Sequence, residues 1–254
     1  MFGRMTGAVA AAAMAITGLA VAQDAPEPGY VKGTVKTAAG APIPGALIFI
    51  DGVLDQNFQY TTKEDGAYNI RLQPGAYVAQ ATLNYKWENQ VYKFDLRPDS
   101  TDTFDDSTGA VRNFTWALTG EKPQPEMGSY GGFIYVNVGT DNFYVEDQDN
   151  ITWTLEPVGT LIDGSQGETI VRKGGAPRTP AYGKILEVPV GRYTISGVYQ
   201  PPGMKPQTLK FRDSWARTRD AYVEKLDILL VAEGNYCNLC ASVEIESPVQ
   251  PEPQ

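Results

Sequence analysis

The chain has two cysteines, Cys237 and Cys240, whose C-x-x-C spacing is typical of redox dithiols, metal-binding pairs and short disulfides. Thiol redox chemistry needs a cysteine of lowered pKa at a helix N-terminus, but the flanking residues 229–231 and 243–245 are strand-like. Two thiolates are also too few for a structural zinc site, which takes four ligands. Because close cysteines pair in an oxidising compartment, we predict a structural disulfide, with redox work as the alternative.

The chain contains no histidine, and this absence restricts the chemistry that it can perform. Ser-His-Asp and Cys-His nucleophiles and histidine-ligated metals are all excluded. A phosphate-binding glycine loop is also absent, because Gly183-Lys184 is followed by Ile185 and preceded five positions earlier by Arg178. Because the chain has thirty acidic residues, a catalytic pair of carboxylates remains an alternative. We nevertheless predict a protein that is not an enzyme and that uses no cofactor.

Three aromatic residues, Tyr85, Trp87 and Tyr92, are the candidate ligand-binding residues. Sugar rings stack their apolar C–H faces on exposed Trp and Tyr rings. Tyr85 and Trp87 share one face of an extended strand, and Tyr92 lies on the returning arm of the predicted hairpin. They therefore predict a carbohydrate site. The alternative is that they cover the core or lie under a domain interface.

Two acidic runs, residues 99–106 and residues 141–149, supply oxygen atoms that could gather around calcium. Calcium takes six to eight oxygen ligands from a chain that bends back on itself, and neither run has EF-hand spacing. We therefore predict solvated loops and no metal site.

The elements that would position these residues are short strands between Gly and Pro breaks. Residues 31–35 alternate apolar and polar positions, which indicates a strand with one buried face. The prolines of residues 41–45 cannot continue a strand ladder, and Asp65-Gly66 and Pro74-Gly75 indicate turns. Strands broken by turns this frequently favour an all-β, antiparallel sandwich.

The order Gly-x-Val, Gly-x-Pro-Ile-Pro-Gly-Ala, Asp-Gly-Ala-Tyr-Asn-Ile and Leu-x-Pro-Gly-x-Tyr over residues 29–83 resembles the carboxypeptidase regulatory-like (transthyretin-like) domain family. The resemblance implies a small β-sandwich that assists folding, adhesion or carbohydrate binding. The histidine-dependent chemistry of related hydrolases and carboxypeptidases has no counterpart here. Fold-level similarity alone does not assign a site.

The second half of the chain echoes the first. Residues 188–193, Val-Pro-Val-Gly-Arg-Tyr, repeat the Gly-x-Tyr pattern of residues 74–77, Pro-Gly-Ala-Tyr. We predict a second sandwich, and either a diverged copy of the first or an unrelated one fits the pattern. The charge pattern of residues 212–225 would allow a short helix beside the sheet. The predicted strands are residues 133–138, 151–155, 184–188, 193–198 and 228–231.

A related adhesin-type sandwich, the collagen-binding B-type fold, joins a buried lysine of its first strand to an asparagine of its last. Lys32 or Lys36 with Asn113 would be the analogous pair here. By strand parity both lysines face away from Val31 and Val35, which argues against this crosslink.

Residues 1–22 have the pattern of a signal peptide, with Arg4 before an Ala-rich apolar stretch that ends in Ala-Val-Ala. The alternative is a membrane anchor, but the stretch at 7–22 has only 16 residues, mostly Ala, and is short for a span. Cleavage removes Arg4 and leaves 20 basic and 30 acidic residues, a net charge of −10. This charge argues against nucleic acids and anionic membrane surfaces as partners.

We therefore expect an exported bacterial protein that is secreted, periplasmic or on the cell surface. Its predicted function is that of a non-catalytic binding module of the cell envelope, with a glycan or an envelope protein as partner. The alternative function is a structural, assembly or adhesion subunit whose sheet edges pair with a partner protein. The predicted domains are a first sandwich at 29–119, a linker at 120–127, a second sandwich-like domain at 128–246 and a disordered tail at 247–254.

Overall fold

The computed structural model describes residues 25–53, 56–138, 147–216, 220–233 and 237–246. The described residues form twenty β-strands and one 3-10 turn at Gln148–Asn150. The predicted all-β fold class is thereby confirmed. The predicted signal peptide and tail lie outside the described residues, and the predicted domain boundaries stay a prediction.

The first sandwich consists of ten strands. They are β1 (Tyr30–Thr37), β2 (Leu47–Gly52), β3 (Asn57–Thr61), β4 (Ala67–Arg71), β5 (Ala76–Trp87), β6 (Gln90–Asp95), β7 (Arg97–Pro98), β8 (Phe104–Asp105), β9 (Ala110–Val111) and β10 (Phe114–Trp116). One sheet has the order β4-β1-β10-β7, and β9 also pairs with β1. The other sheet has the order β3-β2-β5-β6, and β8 also pairs with β5.

The second sandwich also has ten strands. They are β11 (Gly132–Val138), β12 (Ile151–Pro157), β13 (Ile170–Lys173), β14 (Lys184–Val188), β15 (Arg192–Tyr199), β16 (Gln207–Thr208), β17 (Phe211–Asp213), β18 (Leu226–Leu229), β19 (Val231–Glu233) and β20 (Asn238–Ile245). Its sheets have the orders β14-β11-β20-β17 and β13-β12-β15-β16. Strand β19 pairs with β20, and β18 pairs with β15.

The two sandwiches correspond strand for strand. In each, the first strand pairs in parallel with the last (β1 with β10, β11 with β20) and antiparallel with the fourth (β4, β14). The second and fifth strands form the centre of the other sheet in both. The main departure is that β9 pairs with the first strand, whereas β19 pairs with the last. This shared topology supports the interpretation of the second sandwich as a diverged copy.

A pair of glycines aligns the copies residue by residue. A Cβ atom added to Gly33 would lie 1.8 Å from the carbonyl oxygen of Arg112, and one added to Gly132 would lie 2.1 Å from that of Leu239. Only glycine lets the first strand approach its neighbour this closely. Gly33 therefore corresponds to Gly132.

A pair of tyrosines gives the same alignment at another place. The hydroxyl of Tyr77 lies 2.8 Å from the carbonyl oxygen of Gln73, and that of Tyr193 lies 2.9 Å from the carbonyl oxygen of Pro189. Each acceptor stands four residues before its tyrosine, and both tyrosines are buried. Each buried hydroxyl thus fixes the turn that precedes its strand, which explains the repeated Gly-x-Tyr pattern.

Aromatic side chains join the two sheets of each sandwich. In the first, the rings of Phe94 and Trp116 lie 5.1 Å apart, and in the second, those of Trp153 and Phe211 lie 6.3 Å apart. All four are buried. Inward-facing residues of every long strand complete the cores, as alternation requires.

Two expectations about irregular segments are wrong. The described part of residues 212–225 contains a strand and turns but no helix, because the alternating residues of β17 pair with β20. The acidic run at 99–106 is not a fully solvated loop, because Phe104 is buried with its ring 6.0 Å from that of Tyr77.

The segment between the sandwiches is tied to the first of them. The ring of Tyr130 is buried, with the guanidinium of Arg97 4.9 Å from its centroid. Lys122 forms ion pairs with Asp95 and, at 3.5 Å, with Glu126. Nearby, prolines of the segment line a cavity of about 180 Å³ against β5. These contacts give this predicted linker defined positions on the sandwich surface.

Candidate ligand-binding faces

The three aromatic residues predicted to bind a ligand lie on the inward face of the β5–β6 hairpin. Tyr85 and Tyr92 are register partners, so they share a face as predicted. Tyr92 is 0 % exposed, and Trp87 is half-buried with its ring 5.8 Å from that of Tyr92. Tyr85 is 38 % exposed and packs 5.0 Å from Trp116. The ring of Tyr92 is therefore enclosed and offers no face to a sugar. Sugar binding by Tyr85 and Trp87 stays a prediction.

The tip of this hairpin contacts the second sandwich. The hydroxyl of Tyr92 donates to the carbonyl oxygen of Leu230 at 2.9 Å, and the side-chain oxygen of Gln90 accepts from the backbone N–H of Ala232 at 3.0 Å. Glu88 and Arg192 form an ion pair at 3.4 Å. Burial raises the pKa of Tyr92 to about 12, Glu88 adds to that rise and Arg192 opposes it. The alternative position for these aromatics, under a domain interface, is the one that Tyr92 occupies.

A groove of about 500 Å³ lies on the outer face of the sheet that contains β1. Its floor is made of small or polar side chains at neighbouring register positions. Thr34 lies opposite Ala67, and Lys32 lies opposite Asn69. Three lysines line the groove: Lys32, Lys36 and Lys63. We call this feature the lysine groove.

The charges of the lysine groove are only partly compensated. Lys32 is 18 % exposed and pairs with Glu27 at 3.2 Å. Asp65 also lines the groove, and its carboxylate accepts from the backbone N–H of Ala67 at 3.0 Å. Within the described ranges, no carboxylate lies in ion-pair distance of Lys36 or Lys63. The groove therefore carries excess positive charge in a protein that is acidic overall.

One end of the groove is held by Asn113. Its side-chain oxygen accepts from the backbone N–H of Thr34 at 3.0 Å and lies 3.1 Å from the Thr34 hydroxyl, and its amide donates to Asp99 at 2.9 Å. Asn113 thus joins the last strand to the first through hydrogen bonds. Beside it, the hydroxyl of Tyr68 donates to the carbonyl oxygen of Arg112 at 2.5 Å. Burial raises the pKa of Tyr68, and Asp99 adds to the rise.

The corresponding face of the second sandwich is aromatic. Phe133 and Tyr135 lie on the outer side of β11, because Ile134 and Val136 point into the core. Their ring centroids are 5.0 Å apart at an interplanar angle of 86°. The ammonium of Lys184 lies 5.5 Å from the centroid of Phe133 and 5.2 Å from that of Tyr135. We call these three residues the aromatic face.

Sequence reasoning missed the aromatic face, although a signal for it was present. Residues 133–136 are all apolar or aromatic. In a strand with only one buried face, either Phe133 and Tyr135 or Ile134 and Val136 must therefore face outward. Which set faces out depends on Gly132, whose close approach to Leu239 fixes the inward parity. That contact is long-range and cannot be read from the local pattern.

Cys237 and Cys240 form a disulfide with a Cα–Cα distance of 6.1 Å, as predicted. Cys240 is the register partner of Phe133 and is fully buried. Since Gly33 corresponds to Gly132, Cys240 occupies the position of Asn113 in the other sandwich. The disulfide therefore lies beside the aromatic face, at the place where the first sandwich uses an amide.

The acidic residues of the loop at 99–106 bind parts of the protein itself. Asp106 accepts from the backbone N–H of Gly75 at 2.8 Å, and Asp105 accepts from that of Ser107 at 2.8 Å. The hydrogen bonds from Ser107 lower the pKa of Asp105. In the part of the chain that the structure describes, no three Cys, Asp or Glu side chains are grouped closely enough to hold a metal ion. Most of the second acidic run, residues 141–146, lies outside that part.

Family comparison identifies the first sandwich. Residues 30–106 match the carboxypeptidase regulatory-like domain. The match confirms the resemblance predicted from the motifs and covers β1 to β8 of the carboxypeptidase regulatory-like sandwich. It ends before β9 and β10, which complete the sheet around β1. No curated protein matches the chain in sequence. Among the described residues, no helix has the length and hydropathy to cross a membrane.

Several solved structures of bacterial proteins are similar over most of the chain at low identity. The TIE protein of Bacillus anthracis is 14% identical with a TM-score of 0.34, and the match covers 86% of this chain and 34% of that one. A C-terminal fragment of the pilus adhesin SpaC from Lactobacillus rhamnosus GG is 12% identical with a TM-score of 0.29, covering 88% and 97%. The major pilin subunit of Bacillus cereus is 10% identical with a TM-score of 0.23, covering 86% and 99%. The chain thus spans about a third of the TIE protein, and at these TM-scores its function has to be argued from its own residues.

Proposed function

We propose that the chain is an exported, non-catalytic binding module of the bacterial cell envelope, and that its lysine groove binds an anionic carbohydrate. The observation that carries this proposal is the concentration of Lys32, Lys36 and Lys63 around one groove of an acidic protein. Isolated surface lysines are ordinary, but three that line one concave surface form a local field that attracts anions.

The electrostatics of the groove favour a ligand with negative charge. Lys36 and Lys63 have no carboxylate partner in the described ranges, so a ligand carboxylate or sulfate would complete their pairing. Low-dielectric walls strengthen such pairs relative to those on a flat surface. Lys32 contributes less, because Glu27 already neutralises it.

The uncharged part of the groove favours a carbohydrate over other anions. Thr115 and the exposed amide of Asn69 line it with hydrogen-bonding groups that match sugar hydroxyls. The small side chain of Ala67 leaves room for a ring above the sheet. A nucleic acid would extend beyond the groove over a protein of net charge −9 and be repelled there.

Titration calorimetry with acidic and neutral oligosaccharides of equal length tests this function. We expect the acidic oligosaccharides, hexuronate trimers, to bind and the binding to weaken as salt is added. Lys36→Gln together with Lys63→Gln should weaken it about tenfold. Lys93→Gln, which removes an exposed lysine of β6 outside the groove, is the matched control and should leave the affinity unchanged. Equal affinity for neutral trimers, or an unchanged affinity in the folded double variant, would contradict the proposal.

A further inference from the structure

The aromatic face carries features that the lysine groove lacks. Phe133, Tyr135 and Lys184 project from two paired strands on the outside of the second sandwich, where Tyr135 and Lys184 are register partners. We propose that this face is a second, separate binding site, for a sugar ring that carries a carboxylate. The inference goes beyond the groove and does not depend on it.

The rings supply a stacking surface. Both are half-buried, although they lie on the face opposite the core, so each keeps part of its surface open. Phe133 and Tyr135 meet edge to face, the arrangement that the ring quadrupoles favour, and this holds their planes fixed relative to each other. A pyranose C–H face buries apolar area against such a pair without displacing any core residue.

Lys184 determines the charge of the ligand. Its ammonium lies over both rings, within the distance at which cation–π attraction operates. The rings already have a cation–π partner, so a cationic ligand gains little here. Within the described residues, no carboxylate lies in ion-pair distance of this ammonium. A carboxylate on the sugar would supply the missing partner.

Polar groups next to the rings can take the sugar hydroxyls. Among the described residues, no hydrogen bond engages the hydroxyl of Tyr135, which is a donor and an acceptor. Asn137 follows on the same face of β11, and its amide nitrogen is held by the hydroxyls of Ser242 at 2.9 Å and Ser214 at 3.2 Å. This anchoring leaves the carbonyl oxygen of Asn137 as an acceptor in a fixed position.

The surroundings make the face rigid before any ligand arrives. Cys240 is the register partner of Phe133 and is locked to Cys237 by the disulfide. Ser242 is the register partner of Tyr135 and belongs to the network with Asn137. A preorganised face loses little conformational entropy on binding, which favours affinity for a small ligand.

The test measures binding to this face in isolation. A protein that carries Lys36→Gln and Lys63→Gln, here called the groove-silenced protein, has groove binding weakened about tenfold and an intact aromatic face. We expect a hexuronate trimer still to bind this protein, and Phe133→Ala with Tyr135→Ala to weaken that binding at least about tenfold. Inorganic phosphate, which has charge but no ring, should not bind. Thermal unfolding confirms that each variant is folded.

A second variant distinguishes the contribution of the Lys184 charge to binding from that of ring stacking. Lys184→Met keeps the length of the side chain and removes its charge, so the preference for hexuronate over neutral hexose trimers should disappear. Absence of trimer binding to the groove-silenced protein, or unchanged binding in the folded aromatic variant, would overturn the proposal. If groove silencing leaves all binding intact and the aromatic variant abolishes it, the groove function fails while this inference stands. If the groove variant abolishes binding and the aromatic variant leaves it intact, this inference fails while the groove function stands.

Discussion

The two sandwiches place different chemistry at the same point of the same topology. In both, the last strand runs parallel to the first and comes so close that only glycine fits, at Gly33 and at Gly132. One residue further along the last strand, the first sandwich has Asn113, hydrogen-bonded to the first strand, and the second has Cys240, in a disulfide. The comparison teaches that this position accepts two kinds of constraint, a hydrogen bond to the first strand or a disulfide within the last-strand segment.

The same alignment shows which residues differ between the outer faces of the two sandwiches. Thr34 and Lys36 of the carboxypeptidase regulatory-like sandwich correspond to Phe133 and Tyr135 of the other. Both pairs face outward, where the core places no demand on them. The inward positions stay apolar in both copies, whereas the outward positions carry charge in one copy and rings in the other. The two sandwiches therefore differ on the outer faces for which we propose ligand binding.

The largest expected effect comes from the glycine pair. Gly33→Ala and Gly132→Ala should each lower the free energy of unfolding by about 3 kcal/mol or more, because the new methyl group would collide with backbone that cannot move aside. Gly40→Ala adds the same methyl group in open space and meets only the strain of a positive φ, about 1–2 kcal/mol. Denaturant unfolding measures all three. If either core glycine tolerates alanine as well as Gly40 does, the proposed alignment of the copies is wrong.

The Cys237–Cys240 disulfide and the Asn113 hydrogen bond should respond differently to reduction. Replacing both cysteines by serine, or adding a reductant, should cost about 2 kcal/mol, as closing so short a loop implies. Asn113→Ala should cost about 1–3 kcal/mol, because it leaves the partly buried N–H of Thr34 without its acceptor. Reductant should leave the size of the Asn113→Ala effect unchanged. Denaturant unfolding with and without reductant checks this, and a reductant-sensitive Asn113→Ala effect would show that the disulfide and the Asn113 hydrogen bond are coupled.

The smallest effect concerns the contact between the sandwiches. Tyr92→Phe removes the hydrogen bond to Leu230 and should cost about 1 kcal/mol near neutral pH. The pKa of Tyr92 is raised to about 12, while an unfolded tyrosine ionises near pH 10. Tyr92 therefore stays protonated to higher pH in the folded state than in the unfolded state. Its contribution to the free energy of unfolding is fully present below pH 10 and is lost as pH rises towards 12.

Unfolding measured in denaturant from pH 8 to pH 11.5 checks this contribution. The variant should lose less stability than the native protein over the alkaline half of that range. Tyr85→Phe, which removes an exposed hydroxyl from the same hairpin, should follow the native protein throughout. If the free energy of unfolding falls equally with pH in Tyr92→Phe and in the native protein, the environment of Tyr92 does not raise its pKa.

Local patterns predicted the strands but not the partners of their residues. Alternation located β11 and β14 closely, and the repeated Gly-x-Tyr pattern predicted the second sandwich. The acidic run at 99–106 predicts a solvated loop, yet the short strand β8 brings Phe104 against Tyr77. The strand pattern predicts the face of Tyr92 correctly, but its burial involves a contact with Leu230, 138 residues away. Contacts at such distances leave no trace in a short window of sequence.

The position of β9 and β10 has a practical consequence for anyone who expresses the first domain alone. A fragment cut where the family match ends, at Asp106, would leave one whole side of β1 with bare amide and carbonyl groups. An unpaired strand edge can pair with strands of other molecules, so we expect this fragment to aggregate. A fragment that continues through Trp116 keeps β9 and β10 paired with β1 and should stay monomeric.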